Sequence, residues 1–209
     1  MADHLSKDLH MMTRLFSSIA AIALSAGAAL AEKLPLNEIS SYLNDLQTAQ
    51  GEFTQINDDG SIDTGRIYIK RPGRMRFEYD PPSNALVVAG SGEVVVSDPK
   101  SNQGGDSYPL GRTPLSLILA RDIDLSQARM VVGHDFDGTA TVVTAQDPKN
   151  PEIGTIQIKF TADPVELRQW VINDSAGSQT TVVLGEMTTG GNLSNRLFDT
   201  RNVQPAQDR

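Results

Sequence analysis

The stretch Lys70-Arg71-Pro72-Gly73-Arg74-Met75-Arg76-Phe77-Glu78-Tyr79 governs the reading of the fold. Before its corner, Ile67 and Ile69 alternate with Arg66, Tyr68 and Lys70. After it, Met75, Phe77 and Tyr79 alternate with Arg74, Arg76 and Glu78. A period of two sends successive side chains to opposite faces of a strand. The Arg71-Pro72-Gly73 corner therefore joins two half-buried antiparallel strands. Met75, Phe77 and Tyr79 form the only apolar face of their strand. If Arg71 points inward, alternation puts Ile67 and Ile69 inward with it. Taken from the residues alone, Arg71 is a surface residue beside a Pro-Gly corner, and the apolar positions are ordinary core.

Working outward, Leu36, Ile39, Leu43 and Leu46 recur at helical spacing, with Pro35 before them and Gly51 after. These are start and stop signals, and the spacing predicts a helix over about 36–49. From Gly51 the period changes to two. Leu86–Ala89 and Val94–Ser97 read as short strands about the Gly90-Ser91-Gly92 turn, and Asn102 to Gly105 as a polar loop. Thr113-Pro114 opens a short helix, with Thr113 as its cap and Leu115, Ile118 and Leu119 as its apolar face. The remainder predicts strands at Arg129–Val132, Thr139–Ala145, Thr155–Phe160, Glu166–Ile172 and Gln179–Leu184, separated by Gly, Pro and Asp turns. The expected class is mainly β with small helices (α+β), in one domain.

At 209 residues the chain is long enough for a full core. It has no cysteine, which removes disulfides, thiolate metal sites, thiol nucleophiles and lipid-modified cysteine. A net charge of −8 argues against nucleic acid and against docking on anionic lipid. Met11-Met12-Thr13-Arg14, the uncharged run Leu15 to Ala29 and the Ala29-Leu30-Ala31 site form a secretory leader, expected to be cleaved after Ala31. Its apolar core is too short to span a membrane. The charged residues of 1–10 are atypical of a leader, so Met1, Met11 and Met12 all stand as candidate starts. Residues 32–209 form the expected mature domain, of unchanged charge because the leader carries two acidic and two basic residues. Export without disulfides fits a bacterial periplasm.

The sequence carries little that could do catalytic chemistry. A serine nucleophile needs a base, and after cleavage His134 is the single histidine, in a Gly133-His134-Asp135 loop beside the Asp137-Gly138 turn. No G-x-S-x-G elbow is present. Asp135-x-Asp137-Gly138 lacks the third acid and the closing Glu of a calcium loop and reads as a hairpin turn. Trp170 alone offers little for a carbohydrate platform. No catalytic residue, metal site or cofactor is expected.

The decisive stretch resembles the periplasmic outer-membrane lipoprotein carrier family (LolA). Gly51-Glu52-Phe53-Thr54-Gln55 is similar to that family's lead into its first strand. Asp80-Pro81-Pro82, Asp98-Pro99, Thr113-Pro114-Leu115 with Leu119-Ala120-Arg121, and Asn192 to Phe198 follow in the family's order. The resemblance spans essentially 36–203. It departs at Glu93-Val94-Val95-Val96, where an aromatic is frequent, and at Met75, where phenylalanine is common.

The resemblance implies an incomplete antiparallel β-barrel covered by a helical lid, with lipid held between them. It implies that Arg71 latches the lid through backbone carbonyls near Leu119-Ala120 and on the 36–49 helix. Phe53, Ile67, Ile69, Met75, Phe77 and Tyr79 from the strands, with Leu43, Leu115, Ile118 and Leu119 from the helices, would line the lipid cavity. It further implies a soluble monomeric chaperone that is not an enzyme. Its cargo would be outer-membrane lipoproteins, its donor an inner-membrane ABC transporter, and its target an outer-membrane acceptor. The physics agrees: an acyl chain carries on the order of 10 kcal/mol of apolar burial and cannot cross water unshielded. The alternative is a periplasmic lipid-binding or envelope-stress-sensing module of the same fold. A stress sensor would carry an extra C-terminal domain, for which the 178 residues after the leader are short. The family's outer-membrane receptor would need a lipidated cysteine.

Overall fold

The computed structural model describes residues 32–99, 105–113 and 115–203. The expected leader, 1–31, lies outside them, as do Pro114 and most of the 102–105 loop. Helix α1 is Leu36–Asp45 and helix α2 is Leu115–Leu119. The described residues also hold four single-turn 3-10 helices and eleven strands: β1 Thr48–Ile56, β2 Ile62–Lys70, β3 Arg74–Tyr79, β4 Leu86–Gly90, β5 Glu93–Ser97 and β6 Asp106–Pro109, then β7 Val131–Phe136, β8 Thr141–Gln146, β9 Gly154–Thr161, β10 Glu166–Asp174 and β11 Gln179–Thr189.

All eleven strands form one sheet in the order β6-β5-β4-β3-β2-β1-β11-β10-β9-β8-β7. Each half is a meander of antiparallel neighbours, and the β1–β11 pair joins the two halves. The order starts at β6 and stops at β7, so the sheet is not closed into a barrel.

The inner face follows from the alternation. In β2 and β3, Ile67, Ile69, Met75 and Phe77 are buried while their neighbours are more exposed. Ile67 pairs with Phe77 and Ile69 with Met75, so the period-two pattern meets itself across the corner. Phe53 of β1 lies opposite Gly65. A Cβ at Gly65 would stand 2.1 Å from the Glu78 carbonyl oxygen and 2.8 Å from Phe53 Cε1, so this position admits only glycine. The other half contributes Ile156, Ile158, Phe160, Leu167, Trp170, Val182 and Leu184 to the same core.

Several expectations are corrected. Helix α1 ends at Asp45, four residues before the expected end, and Gly51 lies inside β1. The segment from Thr48 pairs with Lys70 on one side, and from Ala49 with Thr189 on the other, and these ladders win over helical spacing. Leu46 is buried just past the helix rather than on it. The Thr113 hydroxyl donates to the Leu110 carbonyl at 2.9 Å, and it is the Thr113 carbonyl that accepts from the Ser116 N–H. The strand expected at Arg129–Val132 begins only at Val131 and runs to Phe136, which takes in His134. That histidine is no loop residue. Its Nε2 makes a 2.8 Å hydrogen bond with the Leu34 carbonyl, while Lys33 Nζ donates to its own carbonyl at 2.7 Å. Strand β6, with the sequence Asp-Ser-Tyr-Pro, carries no apolar alternation that would mark it as a strand.

Candidate functional site

Both helices cover the inner face of the sheet. From α1, Ile39 and Leu43 enter the core, and the Tyr42 ring meets Phe160 edge-on with centroids 6.2 Å apart. The Tyr42 hydroxyl accepts from the Leu167 N–H of β10, and burial raises its pKa. From α2, Leu117, Ile118 and Leu119 are buried in the same core. The chain then runs on through 120–125, where Ile123 and Leu125 also turn inward.

The cover is fastened by a polar seam. Arg71, the first residue of the β2–β3 corner, is only 4% exposed. Its Nη2 donates to the Ala120 carbonyl at 2.5 Å and the Arg121 carbonyl at 3.2 Å, with a longer contact of 3.4 Å to Asn44 Oδ1 on α1. The Gly73 N–H donates to the Leu119 carbonyl at 2.8 Å. Asn44 grips Ile123 like a strand neighbour: its Nδ2 donates to the Ile123 carbonyl and its Oδ1 accepts the Ile123 N–H, both at 2.9 Å. Ser40 Oγ donates to the Leu36 carbonyl and accepts the Leu125 N–H at 3.0 Å. Burial pulls the Arg71 pKa down from its ordinary value, and nearby Asp122 opposes this. A guanidinium remains charged in such a setting. Charge-assisted bonds are worth roughly 1.5–3 kcal/mol each, so the seam is strong for its size yet consists of few contacts.

The residues expected to line a cavity meet in one place. Phe53, Ile67, Ile69, Met75, Phe77, Leu43, Ile118 and Leu119 are all buried in the same cluster. Tyr79 and Leu115 are half-buried and pack against it. Phe53 makes edge-on ring contacts with Phe77 at 5.1 Å and Tyr79 at 5.0 Å. The Tyr79 hydroxyl donates to Gln55 Oε1 at 2.7 Å, and its pKa is pushed up to about 12, first by burial and then by Asp63. These side chains fill the space between sheet and helices by packing on each other.

Two groups at this site were not singled out from sequence. Trp170, dismissed as a sugar platform, is 1% exposed and meets Phe77 edge-on at 5.9 Å. Trp170 shares its parity with Arg168 and Ile172, a mixed face that carries no sign that β10 looks into the same interior as β3. Asn44 and Ser40 read only as the polar side of a helix; their partners are 79 and 85 residues away. Among the described residues no group of His, Asp and Glu side chains could hold a metal ion, and no helix is long and apolar enough to cross a membrane.

An open antiparallel sheet whose apolar face is roofed by two short helices defines a half-barrel with a helical cover. The chain belongs to the family described as outer membrane lipoprotein carrier protein LolA, whose sequence pattern matches residues 44–201. It is 26% identical to an outer-membrane lipoprotein carrier protein of Pseudomonas aeruginosa over 207 residues, covering 93% of this chain and 98% of that protein. A carrier protein of Methylococcus capsulatus is 25% identical over 179 residues, covering 82% and 85%. A crystal structure of a DUF1329 family protein from Desulfovibrio piger shares the fold, with a TM-score of 0.51 at 13% identity over 81% of this chain and 96% of that one.

Proposed function

We propose that this chain is a soluble periplasmic carrier. It takes the acyl chains of outer-membrane lipoproteins between the sheet and its helical cover, and delivers them to the outer membrane. The observation that carries this reading is the seam at Arg71: a buried guanidinium bonded to the Ala120 and Arg121 carbonyls of the cover. A sealed apolar core has no reason to include such a group, because burying a cation is costly unless it is bonded. A cover that must open has one. Breaking a few polar contacts lets α2 and 120–125 move away, and the exposed inner face of Phe53, Phe77 and Trp170 then takes acyl chains in place of the cover. Each buried methylene contributes about 0.8 kcal/mol, so a single chain outweighs the seam.

In this reading residues 1–31 are a cleaved leader and 32–209 the carrier, acting as a monomer without cofactor or catalysis. An inner-membrane ABC transporter supplies the work of loading, and an outer-membrane acceptor takes the cargo. Arg71→Leu tests it. The variant loses the contacts that reclose the cover and gains apolar surface, so it accepts lipoprotein but releases it slowly to outer-membrane vesicles. Release from purified loaded variant at the wild-type rate would remove Arg71 from the mechanism.

A further inference from the structure

We infer that Arg71 also reads the head of the acyl chain, its Nε and Nη1 N–H groups donating to a carbonyl or carboxylate oxygen of the bound lipid. This rests on the acyl-carrying reading above and names the polar group that such a site recognises.

The observation is an imbalance on one side chain. All three of Arg71's hydrogen-bond contacts to the cover and to α1 come from Nη2. Nε and Nη1 are buried and have no hydrogen-bond partner among the described residues. A guanidinium carries five N–H groups, one on Nε and two on each terminal nitrogen, so three stay unused. Buried donors without acceptors are costly, and more so on a charged group. Asp122 contributes a favourable charge but no hydrogen bond to these atoms. Latching alone does not explain arginine here, since a lysine ammonium could also donate to two carbonyls.

The chemistry of the missing partner follows. Arginine has no acceptor, so the partner must present one. A buried cation favours an anion or a strong dipole. Ile69 lies two residues before Arg71, Leu43 is next to Asn44, and Leu119 is next to Ala120; all three are buried in the core. The acceptor must therefore be attached to something apolar. An acyl group meets every condition: a carbonyl or carboxylate at one end of a hydrocarbon chain. When the cover shifts and Ala120 and Arg121 draw back, the acyl oxygens also replace the carbonyls that Nη2 gives up. The guanidinium is then bonded in both states, through the cover when empty and through the cargo when loaded.

The test uses the purified full-length protein and probes of one chain length: dodecanoate, methyl dodecanoate and dodecyltrimethylammonium, each displacing an apolar fluorescent dye. Wild-type protein should prefer dodecanoate to the cationic probe by about tenfold to a hundredfold, as expected for one charge-assisted bond. Arg71→Leu should shrink that preference to within about threefold, and Arg71→Lys should keep part of it. In the proton–nitrogen spectrum of arginine side chains, the Arg71 Nε resonance should shift on titration, a readout that a purely structural arginine would not move. A shift with acid and methyl ester alike assigns the carbonyl that acylated proteins share with fatty acids. A shift with the acid alone assigns free fatty acid. Head-group preference that survives Arg71→Leu, or an Nε resonance that stays still while chains bind, overturns the inference and leaves acyl binding intact. Failure of every probe to displace the dye from wild-type protein overturns the acyl-binding reading itself.

Discussion

Asn44→Ala loosens the seam while leaving the Arg71 side chain and its bonds to the Ala120 and Arg121 carbonyls in place. The substitution removes two 2.9 Å hydrogen bonds to Ile123 and the weak contact to Arg71. A neutral hydrogen bond contributes about 0.5–1.5 kcal/mol net, and these lie at a partly buried position where water can satisfy what is lost. The expected loss is about 2 kcal/mol, assigned to the opening of the 120–125 segment. Alanine is the better helix former, so α1 itself should not weaken. Converted at 1.4 kcal/mol per tenfold, the open population rises by about thirtyfold. Native-state hydrogen exchange reads this directly. Ile123 is a poor reporter, because its N–H loses its own acceptor. The Gly73 N–H, bonded to Leu119, and the Leu125 N–H, bonded to Ser40, keep theirs. If the cover opens as one unit, both should exchange about thirtyfold faster, while the amides paired between β9 and β10 change less. Unchanged exchange at Gly73 and Leu125 would refute a cooperative cover. So would acceleration that the whole sheet shares equally.

Other substitutions test the packing beneath. Phe77→Glu puts an unpaired carboxylate among Phe53, Trp170 and the core aliphatics; a cost of about 4 kcal/mol should lower the melting temperature by roughly 10 °C and abolish lipoprotein loading, as read by circular dichroism and co-purification. A variant that melts and loads like wild type would place Phe77 outside the site. Gly65→Ala drives a Cβ into the Glu78 carbonyl and should cost about 3 kcal/mol or more in denaturant unfolding; a loss below about 1 kcal/mol would mean the β2–β3 ladder yields there. Asp137, held by Lys159 first and then by the Ala140 and Thr139 N–H groups, has its carboxyl pKa lowered to about 2. A lowered pKa means stability that is present above the ordinary carboxylate value and lost as pH falls through the folded one. The stability difference between wild type and Asp137→Asn should therefore be constant at neutral pH and shrink between about pH 4 and pH 2. A difference that ignores pH across that window would contradict the assignment.

Legibility in the sequence divided along physical lines. Period-two alternation at 66–79 reported β2, β3 and their shared inner face, because half-burial writes itself into neighbouring residues. The hairpin at Asp137 was legible because its signal is local too: its Oδ1 accepts the Thr139 and Ala140 N–H groups within the turn. The end of α1 was not, since long-range pairing of Ala49 with Ile69 and Thr189 outweighed the local spacing of Leu46. Arg71 shows the limit most clearly. Local chemistry puts an arginine beside a Pro-Gly corner in solvent, and its burial depends on carbonyls 49 and 50 residues away. The seam partners Asn44 and Ser40 share that fate. Helical polar residues look alike in sequence whether they face water or a distant backbone.

The central claim is that acyl chains enter between the sheet and its cover, and the chain carries its own probe for it. Trp170 is the single tryptophan, buried on the inner face against Phe77. Bromine quenches indole emission only near contact. Titration with a bromine-substituted fatty acid, and with a peptide acylated by the same chain, should quench Trp170 saturably, with the midpoint matching binding measured by calorimetry. Unbrominated chains should compete the quenching away. Calorimetric binding of the brominated chain with Trp170 emission unchanged would put the lipid elsewhere on the molecule and contradict the account.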